Sequence, residues 1–387
     1  MKRSVITSAV RTPVGKFGSA LRGSSAVDLG TVAIREAVAR AGIRPGEIDH
    51  VVMGHVVQAG TGQVSSRQAA VAAGIPKEVP AITLNNVCLS SLTAIAYADQ
   101  LIRLGEIRSA VAGGMESMSG APYLVRRARW GGRLGDTEIV DAMIHDGLWS
   151  TFTGQHMGES SDEVNAELGI SREEQDEWAA RSHQLAADAR GSGRSAEEIV
   201  AVEDFSEDEG IRPETTAESL AELPPAFAPD GTITAGNASQ LSDGAAAVTV
   251  MSAERAKELG VEPLAEIVAS GMCAERFAYL HTVPAIALQK ALDKAGLKTA
   301  DLGVVEINEA FASVAVHATR MLGVSEEIVN VNGNSVALGH ALGSTGARMA
   351  VTLLHEMRRR GVEYGAATLC GGGGQGYALI LRAPDEA

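Results

Sequence analysis

The chain has few cysteines, few aromatic residues and little positive charge, and these shortages exclude several classes of protein and partner. It has three cysteines among 387 residues, Cys88, Cys273 and Cys370, and none of them belongs to a CxxC pair. This spacing disfavours a disulfide framework, a zinc site and a redox motif. Reduced thiols in a cytoplasmic protein are the simplest interpretation, and we expect no metal and no permanently bound cofactor.

Long hydrophobic runs are also missing. No segment approaches the roughly 18 apolar residues that cross a bilayer, and the basic N-terminus is not followed by the apolar stretch of a signal peptide. The formal net charge of −15 argues against nucleic acid or an anionic membrane as a partner, because both attract positive surfaces. A small phosphorylated ligand remains compatible with this charge, since it needs only a local cluster of donors.

An internal repeat organises the rest of the sequence. Residues 33–52 and 287–306 align at a constant offset, and each reads as an amphipathic helix that stops at glycine, then a loop and an apolar strand. A second helix and strand follow in both copies, after Cys88 in one and after His340 in the other. Alternating helices and strands predict an α/β fold of two similar halves, with one site at their interface. The alternative is chance similarity between two alanine-rich helices.

A region of different character separates the two copies. Residues 118–241 carry glycine, proline and charge in irregular patches. We therefore assign 1–117 and 242–263 to an N-terminal half and 264–387 to a C-terminal half. A long excursion such as 118–241 is often a lid or a ligand-binding segment. The alternative is a solvated insertion without a role.

Cys88 is the first candidate for chemistry. It lies in TLNNVCLSSLTAI, after a short apolar strand and at the start of a predicted helix. The unpaired N–H groups and the positive end of the helix dipole would lower the pKa of the thiol and favour the reactive thiolate. The alternative is an inert buried cysteine.

Two further motifs supply what a reactive thiol needs. His340 stands in a tight turn of small residues, and an imidazole held there could take the proton of a thiol. Cys370 ends a strand and meets GGGGQG, whose backbone N–H groups could stabilise an oxyanion. Taken alone, the histidine could be structural, and the glycine run could be a phosphate cradle or a plain turn. No GxGxxG or Walker spacing accompanies the run, so a nucleotide-binding motif is only weakly indicated.

Eight segments, in order, resemble those of the thiolase family and together span nearly the whole chain. They are AVRTPVGKFG near the start, NNVCLSSL, AGGMESMS, HMGESSDEV, TAGNASQLSDGAAA, NEAF, GNSVALGHALGSTGAR and LCGGGGQG. The resemblance implies a five-layered α/β/α/β/α fold with two duplicated halves, in agreement with the repeat. It also implies that 118–241 is a loop domain covering coenzyme A.

The resemblance also implies a role for each reactive group. Cys88 would attack an acyl-CoA and carry the acyl group as a thioester, with His340 activating its thiol. Cys370 would remove or return a proton at the α-carbon of a second acetyl-CoA. Asn308, through water, and His340 would hold one thioester oxygen, and the backbone N–H groups of Cys88 and Gly372 would hold the other.

Substrate contacts are implied in the same way. Residues expected near the nucleotide and pantetheine parts of coenzyme A are Arg212, Ser219, Ala235 and Ser239. Residues expected to contact the acyl part of the substrate are Leu148, His156, Met157, Phe227, Leu280 and Phe311. Arg212 has a physical reason to bind phosphate, and the alternative is a solvated loop arginine.

The sequence departs from the family pattern at three places. Ser91 stands where the family usually has glycine, and Ala341 stands where it usually has proline. Leu280 and His281 replace a methionine and a glycine near the expected substrate tunnel. We expect the first two changes to be tolerated, and the third to affect the selection of acyl chains and not the class of reaction.

The segment 141–158 resembles the covering loop of the short-chain members of the family. We therefore expect reversible condensation of two acetyl-CoA to acetoacetyl-CoA and CoA, by a homodimer or homotetramer. The main alternative is a 3-ketoacyl-CoA thiolase of longer chain preference in fatty-acid β-oxidation. A decarboxylating ketosynthase would use a second histidine where Asn308 stands, and a non-catalytic acyl-CoA or lipid carrier would not need all of Cys88, His340 and Cys370.

Overall fold

The computed structural model describes residues 2–276 and 279–384. The strands are β1 Ser4–Arg11, β2 Gly15–Lys16, β3 His50–Gly54, β4 Ala81–Leu84, β5 Ser109–Ser117, β6 Tyr123–Leu124, β7 Val140–Asp141, β8 Trp149–Ser150, β9 Gln155–His156, β10 Ser242–Ser252, β11 Ala265–Ala274, β12 Leu302–Ile307, β13 Tyr364–Gly371 and β14 Gln375–Arg382. The α-helices are α1 Ala26–Arg40, α2 Ser65–Ala72, α3 Ser90–Leu104, α4 Met157–Leu168, α5 Arg172–Gly191, α6 Arg194–Glu198, α7 Ala217–Ala221, α8 Ala253–Leu259, α9 Val283–Ala295, α10 Ala312–Leu322, α11 Ser335–Leu338 and α12 Thr345–Arg360. Short 3₁₀ turns cover Pro45–Glu47, Ala128–Trp130, Thr299–Asp301 and Glu326–Ile328, and a π-helical segment covers Met143–Leu148.

The long strands form one continuous mixed sheet made of two similar parts. Its strand order is β12, β13, β14, β11, β1, β10, β5, β3, β4. In one part β3 runs parallel to β4 and β5, while β10 and β1 follow in antiparallel order. In the other part β12 is parallel to β13, and β14 and β11 follow in antiparallel order. The two parts are joined where Val5 and Ile6 of β1 pair with Glu266 and Ala265 of β11.

The helices complete the duplication. Helix α1 precedes β3 as α9 precedes β12, and α3 precedes β5 as α12 precedes β13. Both first helices end just before a glycine in the left-handed region, Gly42 at φ 68° and Gly296 at φ 69°, where a side chain would be strained. The internal repeat and the helix stops predicted from the sequence are confirmed.

Alternating side chains of the strands contribute to the three large hydrophobic cores. On β5, Ala110 and Ala112 face a central core that α3 and α12 fill from both halves, while Val111 faces an outer core under α1 and α2. On β12, Val304 faces the central core and Val305 faces a third core under α9 and α10. Because successive strand residues point to opposite faces, these cores stack as helix, sheet, helix, sheet, helix. The predicted five-layered fold is confirmed.

Residues between β5 and β10 lie outside the repeated units and include α4, α5, α6 and α7. A buried arginine of β1 connects this region to the sheet, because Arg11 donates to Asp208 at 2.7 and 2.8 Å and to Glu198 at 2.8 Å. Removing one partner of such a buried ion pair would leave an uncompensated charge.

Over residues 2–276 and 279–384, none of the helices combines the length and the apolar character that crossing a bilayer requires.

Candidate active site

The two halves and the intervening region enclose a cavity of about 420 Å³ with a mostly apolar lining. Residues of the cavity wall that the sequence singled out are Cys88, Leu148, His156, Met157, Phe227, Ala235, Ser239, Leu280, Phe311, His340, Cys370 and Gly372. Cys88 comes from the loop between β4 and α3, His340 from the loop before α12, and Cys370 from the end of β13. A volume of this size is typical of a small-molecule site.

Cys88 occupies a strained turn that aims two backbone donors at its sulfur. Val87 has φ 47°, a conformation that is unusual for a β-branched residue, and its N–H donates to Asn85 Oδ1 at 3.1 Å. The N–H groups of Cys88 itself and of Gly372 point at the Cys88 thiol. These are the two groups expected from the sequence to form an oxyanion site, and the structure brings them together at the sulfur.

The expectation of a lowered pKa for Cys88 is wrong for the structure as it stands. Burial raises the pKa of the thiol to about 12, the N–H groups of Cys88 and Gly372 lower it by less, and the carboxylate of Glu116 adds to the rise. Helix α3 begins at Ser90, so the thiol precedes the first helical turn. Cys88 is therefore a neutral thiol at rest and needs a base.

His340 has the tautomer that such a base requires. Its Nδ1 lies 2.8 Å from Thr345 Oγ1, and the Thr345 hydroxyl donates to the carbonyl oxygen of Ala341 at 3.0 Å. Nδ1 must therefore carry the hydrogen, and Nε2 presents its lone pair. That Nε2 is buried and has no hydrogen-bond partner in the described part of the chain. Burial and the charge of Arg348 lower the pKa of His340 to about 3, so the ring is neutral.

The loop of His340 is held from two sides. Its backbone N–H donates to the carbonyl oxygen of Gln240 at 2.9 Å, which connects it to the segment before β10. On the other side Gly343 presses against the sheet so closely that a Cβ on Gly114 would lie 1.9 Å from the Gly343 oxygen. Only glycine permits this approach.

Asn308 is fully buried and is not among the described residues that line the cavity. Its Oδ1 accepts a hydrogen bond from Ser335 Oγ at 2.6 Å, which fixes the orientation of the amide. Its Nδ2 is thereby left as a donor, with no partner among the residues that the structure describes. Asn308 and His340 thus each offer one uncommitted nitrogen, consistent with the shared role that the resemblance implies.

Cys370 is the second sulfur of the cavity. It is 1% exposed and belongs to an apolar cluster, which also contains Ile233, Leu280, Val283, Phe311 and Val314. Burial and the neighbouring Cys88 raise the pKa of Cys370 well above its ordinary value. A thiol in such surroundings is protonated at rest.

The wall beyond Cys370 contains aromatic rings. The ring of His156 stacks on Phe227 with centroids 4.7 Å apart, and Phe227 meets the edge of Phe311 at 6.0 Å. His156 also caps the first turn of α4, where its Nδ1 accepts from the N–H of Gly158 at 3.1 Å. These contacts fix the positions of the rings and give the wall a defined shape.

Arg212 and Ser219 lie outside the cavity, on the region between β5 and β10. Arg212 is partly buried and its guanidinium lies 3.0 Å from Nε2 of His183. Ser219 is exposed and forms a capping box with Thr216 at the start of α7. Their contacts with the nucleotide of coenzyme A remain a prediction.

Sequence reasoning missed a buried carboxylate. Glu116 of β5 accepts hydrogen bonds from the N–H groups of Val56 at 3.1 Å, Val57 at 3.2 Å and Gly343 at 2.9 Å. It therefore joins a loop of the N-terminal half to the loop that carries His340. Burial raises its pKa to about 7. The residue lies inside AGGMESMS, but no spacing rule indicates what a carboxylate does in that motif.

Other residues of the wall lie inside the segments that resemble the family, but no role could be assigned to them from the sequence. Residues of the lining that sequence reasoning did not single out include Met118, Met143, Ile144, Gln240, Leu241 and Leu342. Most are single apolar residues without periodic neighbours, so only the folded chain shows that they face a cavity.

The departures from the family pattern are all buried. Ser91 is fully buried and its Oγ accepts from the N–H of Ala347 at 2.9 Å. Ala341 supplies the carbonyl that orients Thr345. Leu280 lines the cavity, and His281 lies behind it with 0% exposure.

Comparison with known proteins gives a consistent answer over the whole chain. Residues 4–254 match the model described as "Thiolase, N-terminal domain", and residues 261–383 match "Thiolase, C-terminal domain". A protein of Mycobacterium leprae named "Probable acetyl-CoA acetyltransferase" is 51% identical over 392 residues, with 99% of this chain and 100% of that protein covered.

Two more relatives agree. The "Acetyl-CoA acetyltransferase" of Pseudomonas aeruginosa is 47% identical, with 98% of this chain and 99% of that protein covered. The crystal structure of the acetyl-CoA acetyltransferase of Bacillus anthracis superposes with a TM-score of 0.97 at 43% identity, covering 99% of both chains.

Proposed function

Because this chain belongs to the thiolase family, we propose that its cavity catalyses the reversible condensation of two acetyl-CoA to acetoacetyl-CoA and CoA. The observation that carries this proposal is the cavity with two thiols from different halves of the fold, Cys88 and Cys370, and the neutral base His340. The names of the relatives from Mycobacterium leprae and Pseudomonas aeruginosa support the choice of acetyl-CoA.

The first half-reaction transfers an acyl group to Cys88. His340 Nε2 takes the thiol proton, and the sulfur attacks the thioester carbonyl carbon. When the tetrahedral intermediate collapses, the C–S bond to coenzyme A breaks and the leaving thiolate takes the proton of Cys370. The acyl-enzyme then contains an imidazolium at His340 and a thiolate at Cys370, so the charges balance.

The second half-reaction forms the carbon–carbon bond. The thiolate of Cys370 removes a proton from the methyl group of the second acetyl-CoA, and Nε2–H of His340 and Nδ2–H of Asn308, through water, stabilise the enolate oxygen. The enolate carbon attacks the acyl carbon on Cys88, whose oxygen is held by the N–H groups of Cys88 and Gly372. Release of the Cys88 sulfur, which regains its proton from His340, restores the resting state.

The apolar character of the cavity supports this division of labour. Water competes with a carbanion for the acyl group, and a mostly apolar wall limits its entry. The same wall strengthens each hydrogen bond to a developing oxyanion. No step of this scheme uses a metal or a resident cofactor, and the absence of both remains a prediction.

We test the proposal by incubating the protein with acetyl-CoA and measuring its intact mass. An increase of one acetyl group that maps to Cys88, together with formation of acetoacetyl-CoA, is the expected result. A protein that is acylated at another residue, or that consumes malonyl-thioesters but not acetyl-CoA, would contradict it. Faster thiolysis of long 3-ketoacyl-CoA than of acetoacetyl-CoA would favour the long-chain alternative.

We further propose that the chain assembles with copies of itself. Within the described residues β4 ends the sheet, so its outer backbone groups are open to pairing with another strand. The segment between β5 and the π-helical turn also exposes apolar side chains, among them Tyr123, Trp130 and Leu134. A homodimer or homotetramer by light scattering is the expected result, and a monomer at micromolar concentration would exclude it.

Two functional thiols also suit a reducing compartment, which supports a cytoplasmic location.

A further inference from the structure

The apolar cluster around Cys370 is assembled from segments that are far apart in the chain. Leu280 lies just before α9 and Val283 is its first residue, while Phe311 precedes α10. Met157 and Phe227 pack onto them from the region between β5 and β10. The space next to the Cys370 sulfur therefore depends on how these three segments are held together.

One buried side chain connects all three segments. His281 directly follows the wall residue Leu280, and its Nε2 lies 2.8 Å from Asn165 Oδ1 of α4 and 3.0 Å from Ser313 Oγ of α10. Helix α4 begins at the wall residue Met157, and Ser313 lies two residues after the wall residue Phe311. Each bond of this imidazole therefore reaches an element that carries part of the wall.

The direction of these bonds follows from the partners of Asn165. Its Nδ2 donates to Thr232 Oγ1 at 3.0 Å, so its Oδ1 faces the imidazole as an acceptor. Nε2 of His281 must then carry the hydrogen and donate it to Asn165. With His281 fully buried, the bond is shielded from competing water and is stronger than a surface bond.

The arrangement is costly for a purely structural residue. Nδ1 of His281 is buried, and within residues 2–276 and 279–384 no hydrogen-bond partner reaches it. A buried polar atom without a partner destabilises a fold. A glycine at this position would avoid that loss and could make neither side-chain bond.

We propose that His281 is a positioning residue that restricts the enzyme to short acyl chains. It holds α4 against α10 behind Leu280, and so prevents the wall beside Cys370 from separating to admit further methylene groups. The proposal deepens the proposed function, on which it rests, because it concerns the width of the same cavity and not the reaction that occurs there.

The test compares thiolysis of acetoacetyl-CoA and 3-oxooctanoyl-CoA by the full-length protein and by the variants H281G and H281Q. In H281G the tether is lost and space is opened, so the ratio of kcat/KM for the long substrate to that for the short one should rise about tenfold or more, the effect of at least one extra methylene. In H281Q the side-chain amide can still donate to Asn165, so the ratio should stay near that of the unchanged protein.

The matched control is H355Q. His355 is another largely buried histidine, on α12, where its Nε2 lies 3.4 Å from the carbonyl oxygen of Ala9 and outside the cavity lining. This variant should keep the ratio of the unchanged protein. S313A, which removes one of the two partners, should raise the ratio by less than H281G does.

The outcomes separate the two proposals. If the unchanged protein does not cleave acetoacetyl-CoA, the proposed function fails whatever the variants do. If it does, and H281G lowers kcat/KM for both substrates by the same factor or leaves the ratio unchanged, His281 has no part in chain selection and the inference is wrong. Should H281G fail to fold, an unchanged ratio in S313A would overturn the inference in the same way.

Discussion

Thr345 and His340 form a pair in which one hydroxyl determines where a proton sits on an imidazole. The Thr345 hydroxyl has a single hydrogen, and the carbonyl oxygen of Ala341 at 3.0 Å takes it, so Nδ1 of His340 at 2.8 Å has to be the donor in their mutual bond. The lone pair of the ring is thereby confined to Nε2. Thr345, which is not among the residues that line the cavity, thus fixes the tautomer in which His340 can act as a base.

Replacing Thr345 with valine keeps the shape of the side chain and removes this control. We expect T345V to lower kcat by about 10- to 100-fold, a part of the 10²–10⁴ that a positioned base supplies, with little change in KM. T345S retains a hydroxyl and should remain close to the unchanged enzyme. Steady-state kinetics of thiolysis measures both, and equal losses in T345V and T345S would show that the methyl group and not the hydroxyl matters.

Cys370 and Cys88 should fail at different steps when they are replaced. C370A retains the nucleophile and should still be acetylated on Cys88, although more slowly because no thiol protonates the leaving coenzyme A. It has no group to remove a proton from the second acetyl-CoA. Exchange of the acetyl hydrogens with D₂O should therefore fall by more than 10²-fold. C88S should show neither the acetyl adduct nor condensation. Mass spectrometry reads both results, and full condensation by C370A would contradict the division of labour between the two sulfurs.

The fold could be predicted because the same unit of helix, loop and strand occurs twice in the sequence. The helix that stops before Gly42 and the helix that stops before Gly296 repeat one pattern of local periodicity, and such patterns need no knowledge of tertiary contacts. The candidates Cys88, His340 and Cys370 were found because each follows a strand or sits in a turn of small residues. The structure lines one cavity with all three.

The two features that the sequence did not predict, the raised pKa of Cys88 and the contacts of Glu116, both depend on burial in the folded chain. The helix start beside Cys88 suggested a lowered pKa, but desolvation in the folded chain outweighs the backbone donors and raises it. Glu116 was missed for a related reason, because its partners Val56 and Gly343 are distant in sequence and are backbone groups. The local sequence pattern gives no information on the desolvation of a side chain or on its contacts with distant backbone groups.

Ser91, which replaces the usual glycine, should contribute to stability and not to chemistry. Its Oγ accepts from the N–H of Ala347, one of the first donors of α12, and so joins the two halves inside the central core. We expect S91A to lower the free energy of unfolding by about 1–3 kcal/mol, since it leaves a buried N–H unpaired, and to leave kcat unchanged. The exposed S192A is the control and should change stability by less than about 0.5 kcal/mol.

Glu116 should make the stability of the enzyme fall as the pH rises. Its pKa is raised from 4.5 to about 7 because burial disfavours the carboxylate, and the N–H groups of Val57, Gly343 and Val56 oppose this only in part. The folded state therefore binds more protons than the unfolded state between pH 4.5 and about 7. The stabilisation is complete below the unfolded pKa and is lost as the pH rises through the folded pKa, by about 3 kcal/mol in total.

The variant that tests this is E116Q, which cannot titrate. Its amide has one acceptor oxygen where the carboxylate has two, so at least one of the N–H groups of Val56, Val57 and Gly343 loses its partner. We expect E116Q to be less stable than the unchanged enzyme at pH 5.5, and the difference to shrink by pH 8. Denaturant unfolding at the two pH values gives the comparison. A difference that stays constant or grows with pH would mean that Glu116 is ionised throughout, and that the hydrogen bonds of its carboxylate outweigh its burial.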